Sequence, residues 1–88
     1  HYTVKALTPV EDFNEYFGAD FPDEEFDTIG GYVVNHFGHL PKRGERVVID
    51  NYLFKVLRAD NRRVHMLQLT VLPRKPVQPE GGEDQPAS

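Results

Sequence analysis

The stretch from Asp27 to Glu45, DTIGGYVVNHFGHLPKRGE, most constrains what this chain can become. It packs four glycines, two histidines and a proline into nineteen residues. Gly38 stands where a left-handed residue ends a helix, and Pro41 forbids the helix from continuing. Counting back, Ile29, Val33 and Phe37 recur every four residues with Leu40 behind them. The spacing predicts a helix from about Asp27 to Phe37, capped by Asp27. A glycine pair in its first turn costs roughly 1–2 kcal/mol relative to alanine. Something must therefore exclude side chains at Gly30 and Gly31, and close approach of the helix to a sheet meets that need. On this reading a bulky change at Gly31 costs more than roughly 2 kcal/mol. Gly38 reverses the chain, Pro41 stiffens it, and Gly44 releases it into a strand.

Around this helix the patterns change period. YTVKAL alternates, with Tyr2, Val4 and Ala6 on one side, and reads as a strand. TPVEDFNEYFG reads as a helix with Thr8 as cap, Pro9 at the first helical position and Glu11 closing a capping box. Val10, Phe13 and Phe17 share its apolar face, and Gly18 stops it. ADFPDEEFD is an acidic connector in which Phe21 and Phe26 turn inward. After Gly44 come three strands, ERVVI, YLFKVLRA and RVHMLQLTV. Asp50-Asn51 supplies a two-residue hairpin turn, since both residues tolerate positive φ, and Asp60-Asn61 makes the next turn. The order β-α-α-β-β-β with short connections predicts an α+β fold, an antiparallel meander with two helices on one face. The ordered domain spans residues 1–72. Residues 73–88, rich in Pro, Gly and acids, read as a disordered tail.

Several chemistries can be weighed on these residues. The chain contains no cysteine, so disulfides and thiolate zinc sites are excluded. No apolar run approaches the ~20 residues a membrane helix needs. No secretory leader is visible and the chain starts at His1, so it reads as a piece of a longer protein. Gly30-Gly31 has the wrong spacing for a dinucleotide loop, although free N–H groups in a helix first turn can attract an anion. His36 and His39 stand three apart, but Gly38 ends the helix between them and no third ligand follows at a matching spacing. Asp20, Asp23, Glu24, Glu25 and Asp27 offer hard oxygens without an EF-hand pattern, and helix-start acids account for the last of them. The one serine is Ser88, which leaves no nucleophilic triad. His65 reads as a partly covered strand residue beside Leu67 and Leu69. No catalytic residue is assigned.

Charge is distributed unevenly. Residues 1–41 carry eight acids and one base, whereas residues 42–75 carry nine bases and three acids. Arg58, Arg62 and Arg63 surround one turn, and Lys42, Arg43 and Arg46 lead into the first meander strand. Solubility explains such charges. So does docking to an acidic partner, to another domain of the same chain, or to an anionic lipid head group. The net charge of -4 argues against a general nucleic-acid binder.

The segment GGYVVNHFGHLPKRGERVVIDNYLFKVLRADNRRVHMLQLTV resembles the CorC/HlyC transporter-associated domain family. The likeness rests on Gly30-Gly31 at the helix start and on the junction Gly38, Pro41, Gly44, Glu45. It extends to Phe54 and Val56 in the following strand, to Arg62 and Arg63 at the turn, and to YTVKALTPVEDFNEYFG, so it covers about Tyr2 to Leu72. The resemblance implies a non-catalytic, regulatory domain of a magnesium and cobalt efflux protein, on the cytosolic side of a membrane-associated parent. It implies a preceding CBS domain pair that binds adenine nucleotides, and in many members a transmembrane transport domain. A second copy of the chain is a further partner. The fold is similar to part of FAD-binding oxidoreductase domains, but no flavin-holding motif is visible. The expectation is docking by Arg58, Arg62 and Arg63 with no cofactor or metal in this domain. The alternative is a ligand-sensing module for an adenine nucleotide, a flavin or a divalent ion.

Overall fold

The computed structural model describes residues 1–73. The tail expected over 73–88 therefore lies, but for Pro73, outside the described residues. Six elements follow one another: β1 Tyr2–Lys5, α1 Val10–Phe17, α2 Ile29–Phe37, β2 Arg46–Ile49, β3 Tyr52–Ala59 and β4 Val64–Val71. The strands form one antiparallel sheet in the order β1-β4-β3-β2. This is the expected α+β architecture, a meander with β1 added outside β4. Tyr2 faces Leu69 and Lys5 faces Met66 across that last ladder.

Alternation along the strands sends one set of side chains inward. Val4, Ile49, Tyr52, Phe54, Val56, Leu67 and Leu69 join Val10 and Phe13 of α1 and Ile29 and Val33 of α2 in a single buried cluster. Phe13 is its hub. It stacks on Phe21 at 5.3 Å between ring centroids and meets Tyr52 and Phe54 at 5.7 and 5.8 Å. Such pairs contribute about 0.5–1.5 kcal/mol each beyond their buried area. The acidic connector is pinned to this core by Asn14, whose side chain donates to the Phe21 carbonyl at 2.9 Å and accepts from the Phe21 amide at 3.0 Å. Phe21 is buried and Phe26 packs against the cluster, as the connector's pattern required.

Local punctuation departs from expectation in three places. α1 begins at Val10 with Pro9 as its N-cap and no side-chain cap, so the capping box of Thr8 and Glu11 does not form. The helix takes Pro9, not Thr8, as its N-cap, and the Thr8 amide that Glu11 would have to reach already donates to the Lys5 carbonyl at 3.0 Å. α2 is capped by Thr28 rather than Asp27, its hydroxyl accepting from the Gly31 amide at 3.1 Å. At the β2–β3 hairpin Asp50 alone takes positive φ, at 55°. The ends of both helices follow the sequence, with Gly18 and Gly38 in left-handed conformations at φ 69° and 76°.

Candidate functional site

Gly30 and Gly31 do different things. A Cβ on Gly30 would sit 2.6 Å from the Cβ of Ala6 and 2.9 Å from its carbonyl oxygen. The first turn of α2 therefore rests directly on the chain just beyond β1. Gly31 is exposed, and a Cβ there would meet only the Thr28 hydroxyl, at 3.3 Å. The close approach expected of both glycines belongs to Gly30, and Gly31 is corrected to a position beside the cap.

The first-turn amides of α2 are all engaged. Ile29 donates to the Thr8 carbonyl at 2.8 Å, Gly30 to the Ala6 carbonyl at 2.8 Å, and Tyr32 to the Thr28 carbonyl at 3.1 Å. The Gly31 amide takes the Thr28 hydroxyl. No first-turn amide is left free for an anion, and of the two glycines Gly30 alone serves packing.

The exit from α2 is built the same way. Pro41 is fully buried. Gly44 takes φ 95° and donates to the Val56 carbonyl at 2.8 Å, while the Val56 amide returns a bond to the Glu45 carbonyl at 2.9 Å. The Glu45 carboxylate accepts from the Lys42 amide at 2.7 Å and contacts His39 Nε2 at 3.1 Å. The Lys42 N–H, and after it His39, hold this carboxyl below its usual range. His39 thus closes a loop. His36 lies edge-on to the Tyr32 ring on the surface. Asp20, Asp23, Glu24, Glu25 and Asp27 are exposed along the connector. Among the described residues no group of three or more His, Asp or Glu side chains is placed to hold a metal ion. A broad cleft of about 650 Å³ between the α1 exit and the β2–β3 hairpin brings Asp20 and Asp50 to its walls, two carboxylates without a third.

The basic residues form the remaining cluster. Arg58, Arg62 and Arg63 are all exposed at the β3–β4 end of the sheet. The turn between them is longer than a two-residue hairpin and is folded around Asp60. One Asp60 oxygen accepts from the Arg62 and Arg63 amides at 2.8 and 2.9 Å, and the other contacts His65 Nε2 at 2.8 Å. His65 first, then these two amides, hold the Asp60 carboxyl well below the usual carboxylate range. With Asp60 so engaged, the guanidinium groups of Arg58, Arg62 and Arg63 and the ammonium of Lys5 have no ion-pair partner among the described residues. Register shifts between Val56 and Ala59 break the alternation here, so Val64 is buried and His65, expected beside Leu67 and Leu69, is half-exposed with its ring on Asp60.

Two shallow depressions adjoin this turn. One, of about 290 Å³, runs between the start of α2 and the turn and brings Leu7, Arg62 and Arg63 to its rim. The other, of about 150 Å³, gathers Lys5, Arg58, Arg63 and His65. Sequence patterns pointed to the three arginines. They missed Lys5, Leu7 and His65, because only the β1–β4 pairing brings residues 5–7 beside this turn. An exposed leucine directly after a strand was the one local signal.

With this geometry in hand, the chain can be compared with known proteins. Residues 1–73 match the sequence model of a family described as Transporter associated domain, CorC_HlyC. The magnesium and cobalt efflux protein CorC of Vibrio cholerae is 61% identical over 70 residues, which make up 80% of this chain and 24% of that protein. The protein of the same name from Pasteurella multocida is 51% identical over 83 residues, 94% of this chain and 28% of its own length. A solved Mg2+ and Co2+ transporter (CorC) associated region from Neisseria meningitidis superposes with a TM-score of 0.77 at 50% identity, covering 80% of this chain and 86% of that one. The chain spans about a quarter of the length of the curated relatives it matches.

Proposed function

The chain belongs to the CorC_HlyC transporter associated domain family, and from that premise we propose that it is a non-catalytic regulatory domain of a magnesium and cobalt efflux protein. It acts by contact. Its partners are the rest of its own chain, a CBS domain pair and a transmembrane domain among them, or a second copy, and it sits on the cytosolic side of the membrane. Regulation is then a coupling free energy between sites, of about 1–3 kcal/mol in typical cases, carried by a surface that binds differently in the two transport states.

One observation carries this reading. The first-turn amides of α2, Glu45, His39 and Asp60, polar groups that a ligand-sensing module could use, are each engaged in hydrogen bonds within the domain. Arg58, Arg62 and Arg63 in contrast face solvent with no ion-pair partner among the described residues. Exposed, unpaired guanidinium groups lose little on being brought to an acidic partner and gain a charge-assisted, bidentate contact.

Calorimetry of the chain with magnesium, cobalt, ATP and FAD separates the readings. The expected result is no saturable heat with any of them. Saturable uptake of one, lost on changing residues of this domain, replaces the docking role with ligand sensing. In an intact efflux protein carrying this domain, R58A/R62A/R63A is expected to alter cobalt efflux while leaving the domain's melting temperature unchanged. Unaltered efflux counts against the arginines as the contact.

A further inference from the structure

Resting on that docking role, we propose that the surface centred on Leu7 receives an acidic peptide segment that carries one bulky apolar side chain. The two depressions beside the β3–β4 turn are neighbours, sharing Leu7, Arg63 and Val64. Together they make one continuous surface with two chemistries. The larger is floored by apolar groups, Ala6, Val34, Leu40 and Val64, and offers room for a leucine-sized or phenylalanine-sized side chain. The smaller is ringed by the cations Lys5, Arg58 and Arg63, with the His65 ring beside them. Leu7 stands between them and is 69% exposed. One exposed leucine is ordinary by itself, but here it adjoins an apolar floor and cations without ion-pair partners among the described residues, which together supply the apolar and charged contacts of a peptide-binding surface.

Charge complementarity selects the partner. Among the described residues four permanent cations, Lys5, Arg58, Arg62 and Arg63, meet one carboxylate in this region, and Asp60 spends both oxygens on the turn and on His65. The partner must therefore bring its own acids. The apolar floor then discriminates among anions. A free phosphate or nucleotide phosphate would use the cations and leave the floor wet. No Phe or Tyr ring lines either depression to stack a base. A lipid surface is met by protruding apolar side chains, and here the apolar area is concave with Leu7 alone standing out. A peptide with acids flanking an apolar anchor satisfies both halves, with the anchor as the energetic centre and the charges setting approach and register.

The test is selection of a random-peptide display library on the 88-residue chain. The enriched peptides are then synthesised and titrated by fluorescence anisotropy. The expected peptides carry several Asp or Glu residues around one Leu, Ile or Phe, and bind more weakly as salt is raised. R62E/R63E and L7D are each expected to weaken them by about tenfold or more. K42E/R43E, which changes net charge equally at a different loop, is expected to leave affinity unchanged. All four arginine and lysine side chains reversed here are exposed, and melting midpoints near that of the parent chain show that the variants are folded. Enriched peptides without acids, or binding indifferent to R62E/R63E and L7D, overturn this surface while leaving a docking role elsewhere intact. Chain that yields no peptide but sediments with phosphatidylglycerol vesicles, dependent on Arg62 and Arg63, overturns it in favour of a membrane. Saturable heat with magnesium, cobalt, ATP or FAD instead overturns the docking role itself.

Discussion

At residue 30 the space for a side chain is filled by the Cβ and backbone of Ala6, whose carbonyl is also the acceptor for the Gly30 amide. That neighbour cannot retreat without breaking the bond, so G30A is expected to lose about 1–3 kcal/mol in a denaturant melt. G31A meets only a hydroxyl at 3.3 Å and gains helix propensity of roughly 1 kcal/mol, so it is expected to stay within about 1 kcal/mol of the parent chain. Equal losses from the two substitutions would refute the distinction drawn between them. Asp60 offers a second residue-scale test. Its folded-state pKa lies below the unfolded value near 3.8, so its contribution is present above that value and is lost as pH falls below it. Glu45 has the same sign, with Lys42 and His39 as the cause. D60N is therefore expected to be less stable at neutral pH and to show a flatter loss of stability between about pH 5 and pH 2, followed by circular dichroism in acid titrations. A D60N acid limb as steep as the parent's would assign that steepness to other carboxylates.

Among the elements, α2 depends most on its start. The cap is a single hydroxyl, and T28A is expected to cost about 1 kcal/mol by thermal melt, whereas D27A is expected to fall within about 0.5 kcal/mol. That contrast also marks what the sequence could reveal. The body and the stop of α2 were legible because Ile29, Val33 and Phe37 repeat and because Gly38 admits a left-handed turn. Its start was not, since Asp27 and Thr28 are both good caps and the choice between them is made by Thr8 and Val10, whose backbone groups take the neighbouring amide and carbonyl. The capping box expected of α1 is absent for a different reason, since Pro9 stands at the N-cap and the Lys5 carbonyl holds the Thr8 amide. Alternation fixed β3 to the residue, Tyr52 to Ala59, and lost its phase where β3 meets β4 near Arg58. A bulge of this kind depends on two strands at once and leaves no mark in either alone. The arginines of the candidate surface were visible as charge. Leu7 and Lys5 were not connected with them, because adjacency of β1 and β4 is a long-range pairing.

The molecule as a whole has two poles. Tyr2 pairs with Leu69, and β4 then carries the sheet from that end back to the turn at Asp60, about 23 Å away for eight residues at the usual rise. The Leu7 surface lies at the far pole with the turn. At low salt the cations there act together, and above physiological ionic strength their reach shrinks below roughly 8 Å. Cobalt efflux by an intact protein carrying this domain is therefore expected to respond less to R58A/R62A/R63A in buffers of high ionic strength, measured in reconstituted vesicles. The pairing of Tyr2 with Leu69 puts the start of β1 and the last residues of β4 at one end of the sheet, which has a mechanical consequence. Flanking polypeptide joined at both points would suspend the domain from one end, like a pendulum bob with its contact face at the free tip. Length of tether, rather than contact area, would then set how often that tip finds its target, with frequency falling roughly as the three-halves power of a flexible tether's length once it exceeds the span.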